Sequence, residues 1–173
     1  MLDIKIALTN LGKYNEGELI YTWLNLPATG NEIDKAFKEI SVAEGTQYEE
    51  YFISDYETGI PGFKIEEYEN LRQLNEQIRE FSNLDEWEQE EVSAVMEAGS
   101  YDSLTEAIDY QKEGSHIYYS GVTSFEELAQ QFVDDGCFGE IPEAIENYID
   151  YEAIGQTLSY DYTHTSNGFI ALY

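Results

Sequence analysis

The chain has 173 residues, of which 36 are Asp or Glu and 8 are Lys or Arg, giving a formal net charge of -28 at pH 7. With 42% hydrophobic and 14% aromatic residues it carries more apolar matter than a disordered acidic tail, so a folded polyanion is expected. One cysteine, Cys137, and two separated histidines, His116 and His164, exclude an internal disulfide and a Cys/His zinc site, and no apolar run approaches the ~20 residues of a membrane span.

In chain order, Ile4 to Leu8 alternates as a strand and breaks at Thr9-Asn10-Leu11-Gly12. Lys13 to Glu18 is a polar loop, and Leu19 to Leu26 is a second strand. A helix from about Glu32 to Ile40 places Ile33, Ala36, Phe37 and Ile40 on one face, and Tyr51 to Tyr56 makes a third strand before Gly59-Ile60-Pro61-Gly62. From Ile65 the period turns helical. Leu71, Leu74, Ile78 and Phe81 share one face, and Asn83 with Glu86, then Ser103 with Glu106, mark capped starts of two more helices. Acids, Glu88 and Glu91 included, fall all round the helix opened at Asn83, so its packing is expected to be weak. A short strand at Ile117 to Tyr119 precedes the clearest helix, in which Ser124 and Glu127 form a capping box and Phe125, Leu128, Ala129, Phe132 and Val133 lie in one arc. Gly136 ends it, Pro142 opens another helix, Asp150 caps a further one, and Asn167-Gly168 turns the chain into a strand from Phe169 to Tyr173. These elements predict an α+β fold of three small units: 1–63 with an antiparallel sheet, a mainly helical 64–109, and an acidic α+β unit 110–173.

No residue pattern marks an active site. With 36 carboxylates, pairs arise by chance, His116 and His164 have no motif-level partner, Cys137 has no nucleophile signature, and no glycine-rich phosphate loop occurs. The sequence therefore points to a non-enzymatic protein without a cofactor. Asp55 to Glu66 has the span of a calcium loop, with acids at positions 1, 3 and 12, but Ile60 stands where the turn needs glycine. The opening apolar run is too short for a signal peptide, so a cytoplasmic setting without membrane association is expected.

The charge itself carries the signal. Consecutive acids are never more than 14 positions apart between Asp3 and Asp161, so the charge belongs to the folded elements rather than to a tail. Residues 113 to 173 hold 11 acids and no Lys or Arg, which removes local salt bridges as an explanation there. Asp134 and Asp135 fall in a helix's last turn, where the macrodipole disfavours anions. Twenty-eight net charges equal the phosphate charge of about 48 Å of B-form duplex, on the order of 14 base pairs. Rows of helical acids about 5–6 Å apart can imitate a phosphate track, and phosphate contacts carry no base sequence.

Three segments bear a family resemblance: Asn10 to Leu19, Tyr48 to Glu57, and Gly139-Glu140-Ile141-Pro142 followed by Asn147 to Tyr151 and Ala153-Ile154-Gly155. In register and over nearly the whole chain, they resemble the ArdA antirestriction proteins of conjugative elements and phages. That resemblance implies an elongated, curved mimic of DNA. Such a protein dimerises through its C-terminal part and fills the DNA-binding groove of Type I restriction-modification enzymes, blocking cleavage and, in a further reading, methylation. It also implies an antirestriction stretch at about Ala129 to Pro142. On this reading the acidic partner surface comprises Asp85, Glu86, Glu88, Glu90, Glu91, Glu97, Asp102, Glu106, Asp109, Glu126, Glu127, Asp134, Asp135, Glu140, Glu143 and Glu146. Apolar Phe138, Ile141, Ile145, Tyr148 and Phe169 are the expected homodimer contacts, and direct binding to nucleic acid is not expected. A halophilic housekeeping protein, an acidic calcium-binding module and an acidic chaperone for basic DNA-binding proteins are the rival readings.

Overall fold

A computed structural model describes residues 4–99 and 101–173. The chain forms two compact units, Met1–Asp85 with Ser103–Thr105, and Glu86–Asp102 with Glu106–Tyr173. Each has its own three-stranded antiparallel sheet with helices packed on it, so the α+β class holds.

In the first unit the central strand β1 (Ile4–Asn10) pairs on one side with β2 (Tyr21–Leu26) and on the other with β3 (Tyr51–Glu57). Ile4, Ile6 and Leu8 lie along one face of β1 and are buried with Leu24 and Leu26. The register of β1 on β3 slips between Ala7 and Leu8, leaving Ser54 without an opposite residue in a β-bulge. The Ser54 hydroxyl meets Thr9 Oγ1 at 2.7 Å and so satisfies a buried threonine at the irregularity.

Where a chain break followed by loop is expected, a short helix α1 (Leu11–Asn15) forms. Its cause is Asn10, whose Oδ1 accepts from the Lys13 amide at 2.9 Å while its Nδ2 donates to the Ile40 carbonyl at 2.9 Å. One buried amide thus caps α1 and ties down the end of α2 (Gly30–Glu39). Helix α2 starts two residues before its expected Glu32, because Thr29 and Glu32 form a reciprocal capping box.

Helix α3 (Leu71–Ser82) buries Leu71, Leu74, Ile78 and Phe81 as its spacing predicts, each contributing roughly 1.5–3 kcal/mol by removal from water. It also buries Asn75, whose side chain accepts from the Ala28 amide at 2.6 Å and donates to the Ala28 carbonyl at 3.0 Å. That polar clasp makes α3 part of the first unit, whereas the sequence grouped it with the two following helices. Asn83 does not open the next helix. Its amide closes the last turn of α3, bonding the Arg79 and Glu80 carbonyls.

In the second unit β6 (Gly168–Leu172) lies between β4 (His116–Ser120) and β5 (Thr163–Thr165). The β5–β6 hairpin turns at Ser166 and Asn167, one position before the expected Asn167-Gly168, and β5 itself is too short to be read from periodicity. Gly168 faces Ser120 across the sheet, and a Cβ there would collide with the Tyr119 carbonyl oxygen. Phe169 and Ala171 point into a core with Val122, Leu128, Ala129, Leu158 and Tyr162, built on β4, α6 (Phe125–Asp134) and α8 (Tyr151–Leu158). Ser124 accepts from the Glu127 amide, but the Glu127 carboxylate reaches Thr123 instead, so the expected box is half formed and displaced by one residue. Gly136 ends α6 at φ 73°. Pro142 stands as N-cap of the four-residue α7 (Glu143–Glu146), one position before its first turn, and Asp150 caps α8 as expected.

Helix α4 (Glu86–Ala98) corrects the expectation of weak packing: Val92, Ser93, Ala94, Val95 and Met96 are all buried, and the helix packs on β5 and β6. Burial of five consecutive residues shows as no amphipathic stripe, and so it escapes a periodicity argument. Helix α5 (Leu104–Glu113) follows Ser103 directly, where its capped start is expected.

Candidate functional site

Seven of the eight cationic residues, all but Lys112, lie in the first unit. Several are already matched there: Lys5 to Glu57, Lys13 to Glu16 and Glu18, Lys35 to Glu39, and Arg79 to Glu76. Of the expected partner-surface acids, only Asp85 lies in the first unit. The other fifteen lie in the second, with Lys112 the one Lys or Arg against them.

The structure sorts these acids into two kinds. Some are spent within the fold. Glu90 accepts from Ser120 Oγ at 2.9 Å, Glu97 from the Ser166 amide at 2.9 Å and its hydroxyl at 3.2 Å, Glu106 from the Asp102 amide at 3.2 Å, and Glu127 from the Thr123 amide at 2.8 Å. Bonds from the Thr123 hydroxyl and amide hold the Glu127 carboxyl below its ordinary range. Glu90 and Glu97 thereby fasten α4 to the sheet.

Glu91 departs furthest from the expected open surface. Its side chain is 15% exposed, accepts from Gln111 Nε2 at 2.7 Å, and faces His116 Nε2 at 3.5 Å, while His116 Nδ1 has no partner among the described residues. It is turned into the junction of α4, α5 and β4, where a polar cluster holds it. Nearby, burial pushes the Tyr118 phenol up, and the charges of Glu90, Glu91 and Glu97 add to that shift.

The second kind faces solvent. Glu126, Asp134, Asp135, Glu140, Glu143 and Glu146 are exposed and have no hydrogen-bonded or ion-paired side-chain partner among the described residues. Asp85, Glu86, Asp102 and Asp109 are exposed too, and Glu88 is half-buried. Acids in a helix's first turn, such as Glu126 or Glu143, gain from the macrodipole and have a structural reason to be there. Asp134 ends α6 and Asp135 is its C-cap, so these two sit at the wrong pole. They are the acids that folding does not explain.

The expected dimer contacts separate in the same way. Phe138, Ile145 and Tyr148 are exposed, the last at 84%, and Ile141 is half-buried. Phe169 is corrected: at 1% exposure, with its ring centroid 4.6 Å from a tilted Phe125 and 4.6 Å from a stacked His164, it belongs to the core of its own unit. A central strand covered by helices reads from sequence as an exposed apolar end, because the covering helices come from earlier in the chain. No residue from 130 to 154 is buried.

For the calcium reading, Asp55 lies within β3, paired with Ala7, and Ile60 is buried, so the Asp55 to Glu66 stretch is strand and turn rather than a ligand loop. Among the described residues no group of three or more His, Cys, Asp or Glu is placed to hold a metal, and no helix is long and apolar enough to cross a membrane.

Two small α+β units, one of them carrying exposed carboxylates such as Asp134, Asp135 and Glu140, define an acidic α+β protein. The chain belongs to the antirestriction protein (ArdA) family, whose model matches residues 6–171 of 173. That family consists of inhibitors rather than enzymes, and its membership implies interaction with restriction enzymes. No curated protein matches the sequence.

Proposed function

We propose that this antirestriction protein works as a DNA mimic, its carboxylates entering the DNA-binding groove of a Type I restriction-modification enzyme in place of phosphates. The observation that carries the reading is the pair Asp134 and Asp135, unpaired and exposed at a helix C-terminus, in a unit whose one Lys or Arg is Lys112. Lys and Arg lining a groove bind phosphate without regard to base, and an ordered array of carboxylates offers them the same charge. Attraction acts over roughly a Debye length, ~10 Å at 0.1 M salt, so binding is fast and salt-sensitive.

The active form is a homodimer joined through the apolar side chains of residues 138 to 148. Phe138, Ile145 and Tyr148 form an uncovered apolar set in a segment with no buried member, and a second copy is the occupant that keeps the stoichiometry closed.

The test is competition. The protein is titrated into a Type I enzyme carrying labelled duplex, and DNA displacement is followed at rising salt. Displacement that weakens with salt is expected. A stable complex of this protein with bare duplex, or enzyme binding indifferent to salt, overturns the mechanism.

A further inference from the structure

The first unit holds a cleft of about 420 Å³ that the acidic surface of the second unit does not include. Its walls are Tyr14 of α1, the β3 residues Phe52 to Tyr56, Ile65 and Glu67. A regular strand sends alternate side chains to opposite faces, so Phe52 and Asp55, three positions apart, would lie on opposite faces of one. The bulge at Ser54 shifts the phase of β3, so that Phe52, opposite Thr9, and Asp55, opposite Ala7, come to the same face.

The chemistry is that of a cation receptor. Phe52 forms the floor, with the Tyr14 ring at 5.2 Å edge-on to it and the Tyr68 ring at 6.4 Å on its flank. Tyr14 is 54% and Tyr68 68% exposed, so both side chains are reachable from solvent. Asp55 and Glu67 bring two carboxylates to the same cleft, and neither is paired with a Lys or Arg among the described residues. The Glu67 charge pushes the Tyr68 phenol up. Elsewhere in the unit aromatic faces already hold cations: Lys13 Nζ lies 4.5 Å from the Tyr48 centroid and Lys5 Nζ 5.2 Å from that of Trp23. This cleft likewise places an aromatic ring, Tyr14, beside acidic residues, Asp55 and Glu67.

We infer that the cleft, with the Tyr68 ring beside it, receives an arginine side chain of the bound enzyme, stacked on Tyr14 or Tyr68 and paired with Asp55 or Glu67. The inference rests on the proposed function for the partner's identity, and charge complementarity selects the occupant. Guanidinium fits better than ammonium because it is planar, weakly hydrated and able to bond a carboxylate while lying on a ring. Such a contact adds directional anchoring to a field that is otherwise diffuse.

Two measurements test it. Isotope-labelled intact protein is titrated with acetyl-arginine amide and with its neutral isostere acetyl-citrulline amide. Shifts at the amides of Tyr14, Phe52, Tyr56 and Glu67 are expected with arginine alone. Equal shifts with citrulline, or arginine shifts confined to the second unit, overturn the site. In DNA displacement, the Tyr14→Ala, Tyr68→Ala double variant should bind the enzyme about tenfold more weakly through loss of the cation–π contact, while Tyr14→Phe, Tyr68→Phe retains affinity. If the alanine variant binds as the parent does while neutralising Asp134, Asp135, Glu140, Glu143 and Glu146 abolishes binding, the cleft is refuted and the mimic stands. If both variants bind as the parent does, the mimic falls as well.

Discussion

Replacing Asp134 and Asp135 with asparagine should move stability and inhibition in opposite directions. Both residues close α6, one as its last residue and one as its C-cap, and the last turn has no basic residue to offset them. A charge of unfavourable sign in this position costs about 0.3–1 kcal/mol at an exposed site, so the double variant should gain roughly 0.6–2 kcal/mol. At ~2–4 °C per kcal/mol for a chain of this size, the melting temperature rises by about 1–8 °C. Asparagine keeps the volume and the hydrogen-bonding capacity, so the charge is what changes. In displacement of DNA from a Type I enzyme, each lost surface charge pair is worth about 0.2–1 kcal/mol, and the double variant should therefore inhibit about two- to thirtyfold less well. Thermal unfolding followed by circular dichroism and the displacement assay are run on the same preparation. A lower melting temperature would refute the assignment of these acids to function over folding, as would inhibition equal to the parent's.

Three further outcomes follow from the geometry. Ile145→Asp with Tyr148→Asp should give a single chain's mass in light scattering at micromolar concentration with an unchanged far-ultraviolet spectrum, since neither side chain is buried within its own chain; a dimer mass would place the contact elsewhere. Gly155→Ala should destabilise by roughly 1–2 kcal/mol in urea unfolding despite alanine's better helix propensity, because the new Cβ would lie 2.7 Å from the Phe125 carbonyl oxygen where α8 crosses α6; a neutral result would show that the two helices can part. The Glu32 carboxyl is held below its ordinary value of 4.5 by the Thr29 amide and then the Thr29 hydroxyl, so its contribution is present above pH 4.5 and is lost as pH falls through the depressed folded value. Urea unfolding across that acid range should show Glu32→Gln losing less stability than the parent, with parallel curves counting against the cap.

What the sequence revealed depended on whether the cause was local. The arc Leu71, Leu74, Ile78 and Phe81, the Asp150 cap and the stop at Gly136 were legible because a few neighbouring residues determine each. Asn75 was not, since a polar residue within an amphipathic helix becomes meaningful only when Ala28, 47 positions earlier, meets it. Likewise Asn10 reads as a breaker, although it caps one helix and anchors another. For the site, acid-rich composition located the unit but could not separate carboxylates bound within the fold, such as Glu97 and Glu91, from those left open, such as Asp134 and Glu140. The distinction lies in whether Ser166, Gln111 and His116 come within reach, which is a property of the sheet's pairing. The aromatic cleft was hidden for a related reason: it needs a register slip at Ser54 that leaves no trace in the pattern of residues.

The stretch from 130 to 154, without one buried residue, has a consequence for time as well as for contact. Amides are protected from exchange with solvent in proportion to the work of opening the structure around them, and buried apolar contacts supply most of that work. Here the chain supplies little of it by itself. Protection of these amides should therefore track protein concentration and added enzyme, and a protease should cut here first in dilute solution. The segment then reports, amide by amide, on how fully it is covered.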